Sequence, residues 1–129
     1  LGVARRRFPD ASLFAEPAHA MSSIPDASQD VSFVCSTLHG FAPDYRQQVY
    51  AELRRVTRDL IAVIDYHENH NPLVAATEWV EGGDYFRFVQ IVDDELAAAF
   101  PSVQVLRFPG WESLYLCWTR PSTPAGAAP

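Results

Sequence analysis

Residues 31–64 read VSFVCSTLHGFAPDYRQQVYAELRRVTRDLIAVI, and this stretch decides the fold. Its first part, residues 31–36, is β-branched and aromatic, which predicts a short strand buried on both faces. Residues 60–64 are continuously apolar and predict a second interior strand. Between them, apolar side chains recur at helical spacing on one face, at Tyr45, Val49, Leu53 and Val56. A helix joining two buried strands predicts a right-handed crossover, so the two strands are parallel and the fold class is α/β.

Composition narrows the class of protein. The chain has 129 residues, with 10 basic and 16 acidic side chains and a net charge of −6. An acidic chain is a poor partner for nucleic acid, because phosphate binding depends on Lys and Arg. No apolar run reaches the roughly 20 residues that span a bilayer, so we expect no membrane segment and a cytoplasmic location. The two cysteines, Cys35 and Cys117, lie in apolar runs and are predicted to be buried free thiols.

The flanking segments complete an α/β sheet. Residues 1–7 predict a helix end and residues 12–15 a short strand. Helices are then predicted over residues 73–80 and 93–100. The pattern of residues 85–92 suits either a short helix or a strand, and we favour a helix. Residues 103–108 and 111–118 predict a closing antiparallel strand pair around Pro109-Gly110. We therefore expect one domain over residues 1–120 and a disordered Pro/Ala tail over residues 121–129.

The loops that follow the two parallel strands are the candidate site. Ligands bind at the carboxyl ends of strands in open α/β sheets, so residues 36–41 and 65–71 are expected to lie side by side. They bring together three of the four histidines, His39, His67 and His70. A metal site formed by these histidines with Glu68 is the alternative reading, but their spacing matches no metal motif and we predict no metal. There is also no GxGxxG and no P-loop.

The order of four segments resembles a known family. They are Pro-Asp-Ala-Ser-Gln-Asp (25–30), Ser-Thr-Leu-His-Gly-Phe (36–41), Glu-Leu-Arg-Arg-Val (52–56) and Ile-Asp-Tyr (64–66). In this order the chain resembles the second half of a class I S-adenosylmethionine (SAM)-dependent methyltransferase, over about residues 12–118. Leu38-His39-Gly40 stands where that family has Leu-His-His. The family's glycine-rich first loop is absent, so the resemblance implies an incomplete seven-stranded Rossmann-like fold: the C-terminal portion of the domain, expected to be inactive alone.

The resemblance also implies the site. The cofactor is SAM, and its neighbours would be Ala18, His19, Ser36 and Thr37, with Ala18 standing where the family has an aspartate near adenine. A base that accepts the acceptor's proton would be His39, Tyr66 or His67. Trp79, Tyr85 and Phe86 would line a pocket for the methyl acceptor, predicted to be a small molecule. A hydrophobic cap on the sheet is an equally good interpretation of these aromatics, and a non-enzymatic α/β interaction module is the alternative function.

Overall fold

The computed structural model describes residues 1–67 and 72–121. The helices are α1 (Gly2–Arg7), α2 (Pro43–Val56), α3 (Pro72–Glu81) and α4 (Tyr85–Ala99). The strands are β1 (Gln29–Cys35), β2 (Thr57–Tyr66), β3 (Ser102–Arg107) and β4 (Glu112–Trp118). A short 3-10 turn, Leu38–Gly40, lies between β1 and α2. No helix among the described residues is long and apolar enough to cross a membrane.

The four strands form one sheet in the order β1-β2-β4-β3. β1 and β2 are parallel, with Val34 beside Val63. β4 runs antiparallel to both of its neighbours, so Tyr115 lies between Val63 and Val105. The structure confirms the predicted α/β sheet with a parallel crossover and an antiparallel finish.

One face of the sheet carries the core. Inward side chains of β2 and β4 pack against one face each of α2 and α4, because strand side chains alternate and helical apolar residues recur every three or four positions. The buried cluster includes Ile61, Val63, Tyr115 and Cys117 from the sheet and Val49, Leu53, Phe88, Val92 and Leu96 from the helices. This packing holds the carboxyl end of β2 against the start of α4.

The prediction that residues 31–36 are buried on both faces is wrong. Val31 and Phe33 are 57% and 61% exposed, whereas Ser32 and Val34 on the other face are half-buried. Among the described residues β1 is an edge strand, and it pairs only with β2. An apolar, β-branched run looks the same at a sheet edge as in its middle, so the pattern could not separate them.

Three further expectations differ from the structure. Residues 12–15 form no strand. The helices predicted over 85–92 and 93–100 are one helix, α4, because the apolar spacing continues past Asp93 without a helix breaker. Cys35 is exposed rather than buried, since it ends the edge strand. Of the predicted tail, residues 122–129 lie outside the described residues, as do residues 68–71 of the second candidate loop.

Substitutions on the two faces of the sheet should lower the free energy of unfolding by different amounts. Phe88 is fully buried in the core, so Phe88→Ala should lower the free energy of unfolding by about 3–5 kcal/mol. Phe33→Ala, the matched change on the open face, should cost less than about 1 kcal/mol. Urea unfolding followed by circular dichroism measures both. Similar losses for the two variants would contradict this assignment of faces.

The two thiols should react differently with an alkylating agent. Burial disfavours the thiolate and raises the pKa of Cys117 to about 12, so at pH 8 this thiol is almost wholly protonated and shielded. We expect iodoacetamide at pH 8 to modify Cys35 alone in the folded protein, and both cysteines in guanidinium chloride. Peptide mass spectrometry gives the result, and equal native labelling of both would refute it.

Candidate functional site

The site begins where β1 ends. Ser36 continues the parallel ladder by donating its N–H to the Ile64 carbonyl oxygen, 2.8 Å away. Ser36 then takes φ of +45°, a left-handed conformation that is uncommon for a residue with a side chain. Directly after this residue, the N–H groups of Thr37 and Leu38 donate hydrogen bonds to the side chain of Asp65, near the end of β2. Such backbone geometry is concentrated at functional sites.

The carboxylate of Asp65 is fully buried. Its Oδ2 accepts hydrogen bonds from Leu38 N–H at 2.9 Å and Thr37 N–H at 3.2 Å. Its Oδ1 accepts from its neighbour Tyr66 N–H at 2.8 Å and lies 2.7 Å from Nδ1 of His39. Four polar contacts therefore satisfy the carboxylate and bind the 3-10 turn to the end of β2.

The pairing with Asp65 assigns the two nitrogens of the His39 ring. A carboxylate only accepts hydrogen bonds, so the contact at 2.7 Å places the ring proton on Nδ1. In the neutral ring, Nε2 then carries the lone pair that can take a proton. A carboxylate behind a histidine also stabilises the imidazolium that forms, which is how acid–base histidines are oriented. The arrangement is that of a general base.

Aromatic rings surround His39. Tyr66 lies against it with ring centroids 4.6 Å apart, and Tyr85 and Phe88 stand edge-on at 6.3 and 6.5 Å. Tyr66 and Tyr85 also contact each other, at 5.2 Å. His39 itself is buried, so the rings shield the imidazole from water and strengthen its interaction with Asp65. Of the predicted bases, His39 is paired with a carboxylate and Tyr66 packs its ring on His39, and their catalytic roles stay predictions.

His67, the other predicted base, lies two residues beyond Asp65 and is also buried. Its Nδ1 is 3.0 Å from Oγ of Ser113, and that hydroxyl accepts a hydrogen bond from the Arg107 guanidinium at 3.1 Å. The Ser113 hydroxyl keeps its own proton, which it can donate to Nδ1 of His67. With that donation His67 carries its own proton on Nε2, the opposite tautomer from His39, and we predict this arrangement.

The predicted cofactor neighbours lie on both sides of the 3-10 turn. His19 stands edge-on to Tyr45 at 4.7 Å, and Tyr45 in turn contacts Phe41 at 4.8 Å, which links residue 19 to the turn. Nδ1 of His19 is a buried atom with no hydrogen-bond partner among the described residues. Ala18 packs at the edge of the core. The Thr37 hydroxyl donates to the Cys35 carbonyl oxygen at 2.7 Å.

Of the residues predicted to line a pocket for the methyl acceptor, one lies in the core and two lie at the surface of the described structure. Tyr85 is fully buried in the wall beside His39. Its neighbour Phe86 is partly exposed and contacts it at 5.2 Å. Trp79 on α3 is 75% exposed. The structure therefore brings Tyr85 to the base, while the role of Trp79 stays a prediction.

Residues 1–67 and 72–121 contain no group of three side chains that could hold a metal ion. Glu68 and His70 of the metal alternative lie outside those ranges. Asp65 is the site residue that sequence reasoning missed. One signal pointed to it: an acidic residue directly ends a continuously apolar strand, at the edge where ligands bind.

The opposite tautomers of the two histidines can be measured. We expect nitrogen-15 NMR of the folded protein to show His39 protonated on Nδ1 and His67 on Nε2. In Ser113→Ala, Nδ1 of His67 loses its donor, so its tautomer population should shift while that of His39 stays unchanged. Finding one and the same tautomer for both rings in the unchanged protein would contradict the hydrogen-bond assignment.

Comparison with known proteins supports the fold. No family model and no curated protein matches the chain. Solved structures do match. An O-methyltransferase family protein from Burkholderia thailandensis has a TM-score of 0.64 and 13% identity over 91% of this chain and 40% of its own. A SAM-dependent methyltransferase from Methanosarcina mazei has a TM-score of 0.61 and 12% identity over 91% of this chain and 76% of its own.

A proposed O-methyltransferase from Nostoc punctiforme has a TM-score of 0.62 and 18% identity over 81% of this chain, which spans 35% of that protein. The chain thus covers about a third to three quarters of the length of these three structures. At such identities the likeness is one of fold, and it confirms the fold that the sequence resemblance implied. The described chain has the class I fold of the SAM-dependent methyltransferases.

Proposed function

We propose that the protein is a SAM-dependent methyltransferase that methylates a hydroxyl group of a small-molecule acceptor, with His39 as the general base. The observation that carries the proposal is the His39–Asp65 pair, with nitrogen and oxygen 2.7 Å apart, at the carboxyl ends of β1 and β2. Ligands of open α/β sheets bind at that edge. The fold, shared with O-methyltransferases, supplies the reaction class.

Residues around the turn fit the cofactor. The buried Nδ1 of His19, which has no partner within residues 1–67 and 72–121, can accept a hydrogen bond, and this suits an amino group such as that of adenine. The N–H of Thr37 donates to Asp65 and its hydroxyl donates to the Cys35 carbonyl oxygen, so Thr37 would line the site by its backbone and methyl group. We assign polar contacts with SAM to His19 and the Ser36 hydroxyl, and packing to Ala18 and Thr37. SAM, when bound, supplies an electrophilic methyl group on its sulfonium sulfur.

The protein's part in the reaction is alignment and proton removal. A hydroxyl oxygen becomes a good nucleophile as it loses its proton, and Nε2 of His39 accepts that proton. With SAM bound, the deprotonated acceptor oxygen would take its methyl group, giving a methyl ether and the demethylated cofactor. Asp65 stabilises the resulting imidazolium of His39, which then returns its proton to solvent. Holding the reactants in line provides most of the remaining acceleration.

Other residues at this edge of the sheet would contact the methyl acceptor. His67 lies two residues beyond Asp65, and in its predicted tautomer it presents an Nε2–H donor, to which we assign the role of orienting the acceptor oxygen. Tyr85 and Phe86, which contact each other, would flank an apolar acceptor, with Trp79 farther out on α3. The net charge of −6 favours a small molecule over nucleic acid. A cytoplasmic location remains the expectation from sequence.

The test uses the protein as its gene encodes it. Methyl transfer from radiolabelled SAM to a panel of phenols and hydroxy acids is measured for the unchanged protein and for His39→Gln. We expect His39→Gln to lower kcat by about 10²–10⁴-fold, the usual contribution of a general base, while the Kd for SAM stays within about twofold. Calorimetric titration provides that Kd.

Asp65→Asn is the companion variant. The amide keeps the shape of the side chain but can present its NH₂ to Nδ1, so it no longer holds the base in the required tautomer. We expect kcat to fall by roughly 10²-fold or more. Failure of the unchanged protein to bind SAM would overturn the methyltransferase proposal and favour the interaction module. SAM binding with full activity in His39→Gln would overturn only the assignment of the base.

A further inference from the structure

We infer that the turn joining α3 to α4, Gly82-Gly83-Asp84, acts with Arg46 as a clamp that positions His39. The inference rests on the proposed function, because it concerns the placement of the base. It assigns positioning roles to a glycine and an arginine that act on the backbone of the 3-10 turn. Gly83 approaches Gly40 within the turn, and Arg46 of α2 donates to the carbonyl oxygen of Phe41 directly after it.

Gly83 provides the backbone half of the clamp. A Cβ added at this residue would lie 3.0 Å from the Cα of Gly40 and 3.5 Å from the carbonyl oxygens of His39 and Gly40. Such a distance is too short for ordinary packing between a side-chain carbon and rigid backbone. Only glycine therefore lets the α3–α4 turn approach the residue next to His39 this closely.

Arg46 provides the polar half of the clamp. Its side chain is fully buried. It holds Glu95 of α4 in a two-pronged ion pair at 2.7 and 2.9 Å. The remaining arm, NH1, donates both to the Phe41 carbonyl oxygen and to Asp84 Oδ2, the latter at 2.9 Å. One guanidinium thus joins the residue after the 3-10 turn, Phe41, to Asp84 just before α4 and to Glu95 in the second half of that helix.

The guanidinium is held in place from several sides. Tyr50 of α2 donates its hydroxyl hydrogen bond to Glu95 at 2.9 Å, and the ring of Phe88 lies 5.1 Å from the guanidinium carbon. A planar fork that is already fixed loses little entropy for each hydrogen bond it forms. A buried arginine whose partners are removed would leave an unpaired charge, so the arrangement resists deformation. The Phe41 carbonyl, and the 3-10 turn before it, are therefore fixed.

The position of the proposed base, His39, depends on two sets of contacts, one to its ring and one to its backbone. Asp65 fixes the ring of His39 through Nδ1, whereas the clamp fixes the backbone from which the ring extends. Proton transfer requires hydrogen-bond reach, and a misplacement of about 1 Å can cost about 10²-fold in rate. The same turn leads directly into Tyr85, the ring beside the base, so one short segment places both the base and its aromatic wall.

The test compares two added methyl groups. Gly83→Ala places a carbon against the Gly40 backbone, whereas Gly40→Ala places one where no atom lies within 4 Å. The first readout is independent of turnover: the NMR signal of the His39 Nδ1 proton and its exchange with solvent. We expect Gly83→Ala to shift this signal and speed its exchange by roughly tenfold or more, and Gly40→Ala to leave the signal in place.

The second readout is kinetic. In Gly83→Ala we expect kcat to fall by roughly tenfold with the KM for SAM unchanged. Asp84→Asn, which weakens the ion pair with Arg46 but keeps the side-chain shape, should act in the same direction to a smaller extent and serves if Gly83→Ala does not fold. An unchanged His39 proton signal in folded Gly83→Ala or Asp84→Asn would overturn the clamp. If the unchanged protein transfers no methyl group, the proton signal alone still decides the inference.

Discussion

The hydrogen bonds to the Asp65 carboxylate are the constraint on which the rest of the site depends. This buried group joins two segments that are 26 residues apart at His39, and it does so with backbone N–H groups as well as with the imidazole. A buried carboxylate without partners would be strongly unfavourable, so the 3-10 turn and the end of β2 are held together by the need to satisfy it. The same contacts select the tautomer of His39. Stability and reactivity at this position therefore have one physical origin.

The topology explains why the constraint can exist. The crossover through α2 returns β2 beside β1 in the same direction, which brings both strand ends to one edge. β4 then arrives antiparallel on the other side of β2 and contributes Ser113 beside His67. His39, after β1, is thus oriented by Asp65 of β2, and His67, after β2, by Ser113 of β4. We predict that the two rings differ in tautomer, because one faces a carboxylate and the other a hydroxyl that can donate its proton.

Much of this was predictable from the chain, for reasons that particular residues make clear. The crossover follows from the helical spacing of Tyr45, Val49, Leu53 and Val56 between two apolar runs, and the location of His39 follows from the strand that precedes it. The sequence marks Asp65 as an acidic residue at the end of an apolar strand, but its contacts with the 3-10 turn could not be predicted, because the turn begins with a positive φ at Ser36, where there is no glycine to indicate it. The exposure of Phe33 could not be predicted either, because the residues of a strand do not show whether one or two other strands pair with it. The clamp at Gly83 requires a close approach of two backbones, which sequence spacing does not show.

The different chain separations of the two histidine contacts have a consequence for folding. The contact of His39 with Asp65 closes 26 residues and lies within the β1–α2–β2 unit, whereas that of His67 with Ser113 closes 46 and needs β4 in place. Contacts between segments close in sequence form more readily than distant ones, because less chain entropy is lost. We therefore expect the contact of His39 with Asp65 to form together with the crossover, and that of His67 with Ser113 to form only when the antiparallel strands dock. The site is completed in two stages, in the order in which the chain itself presents its parts.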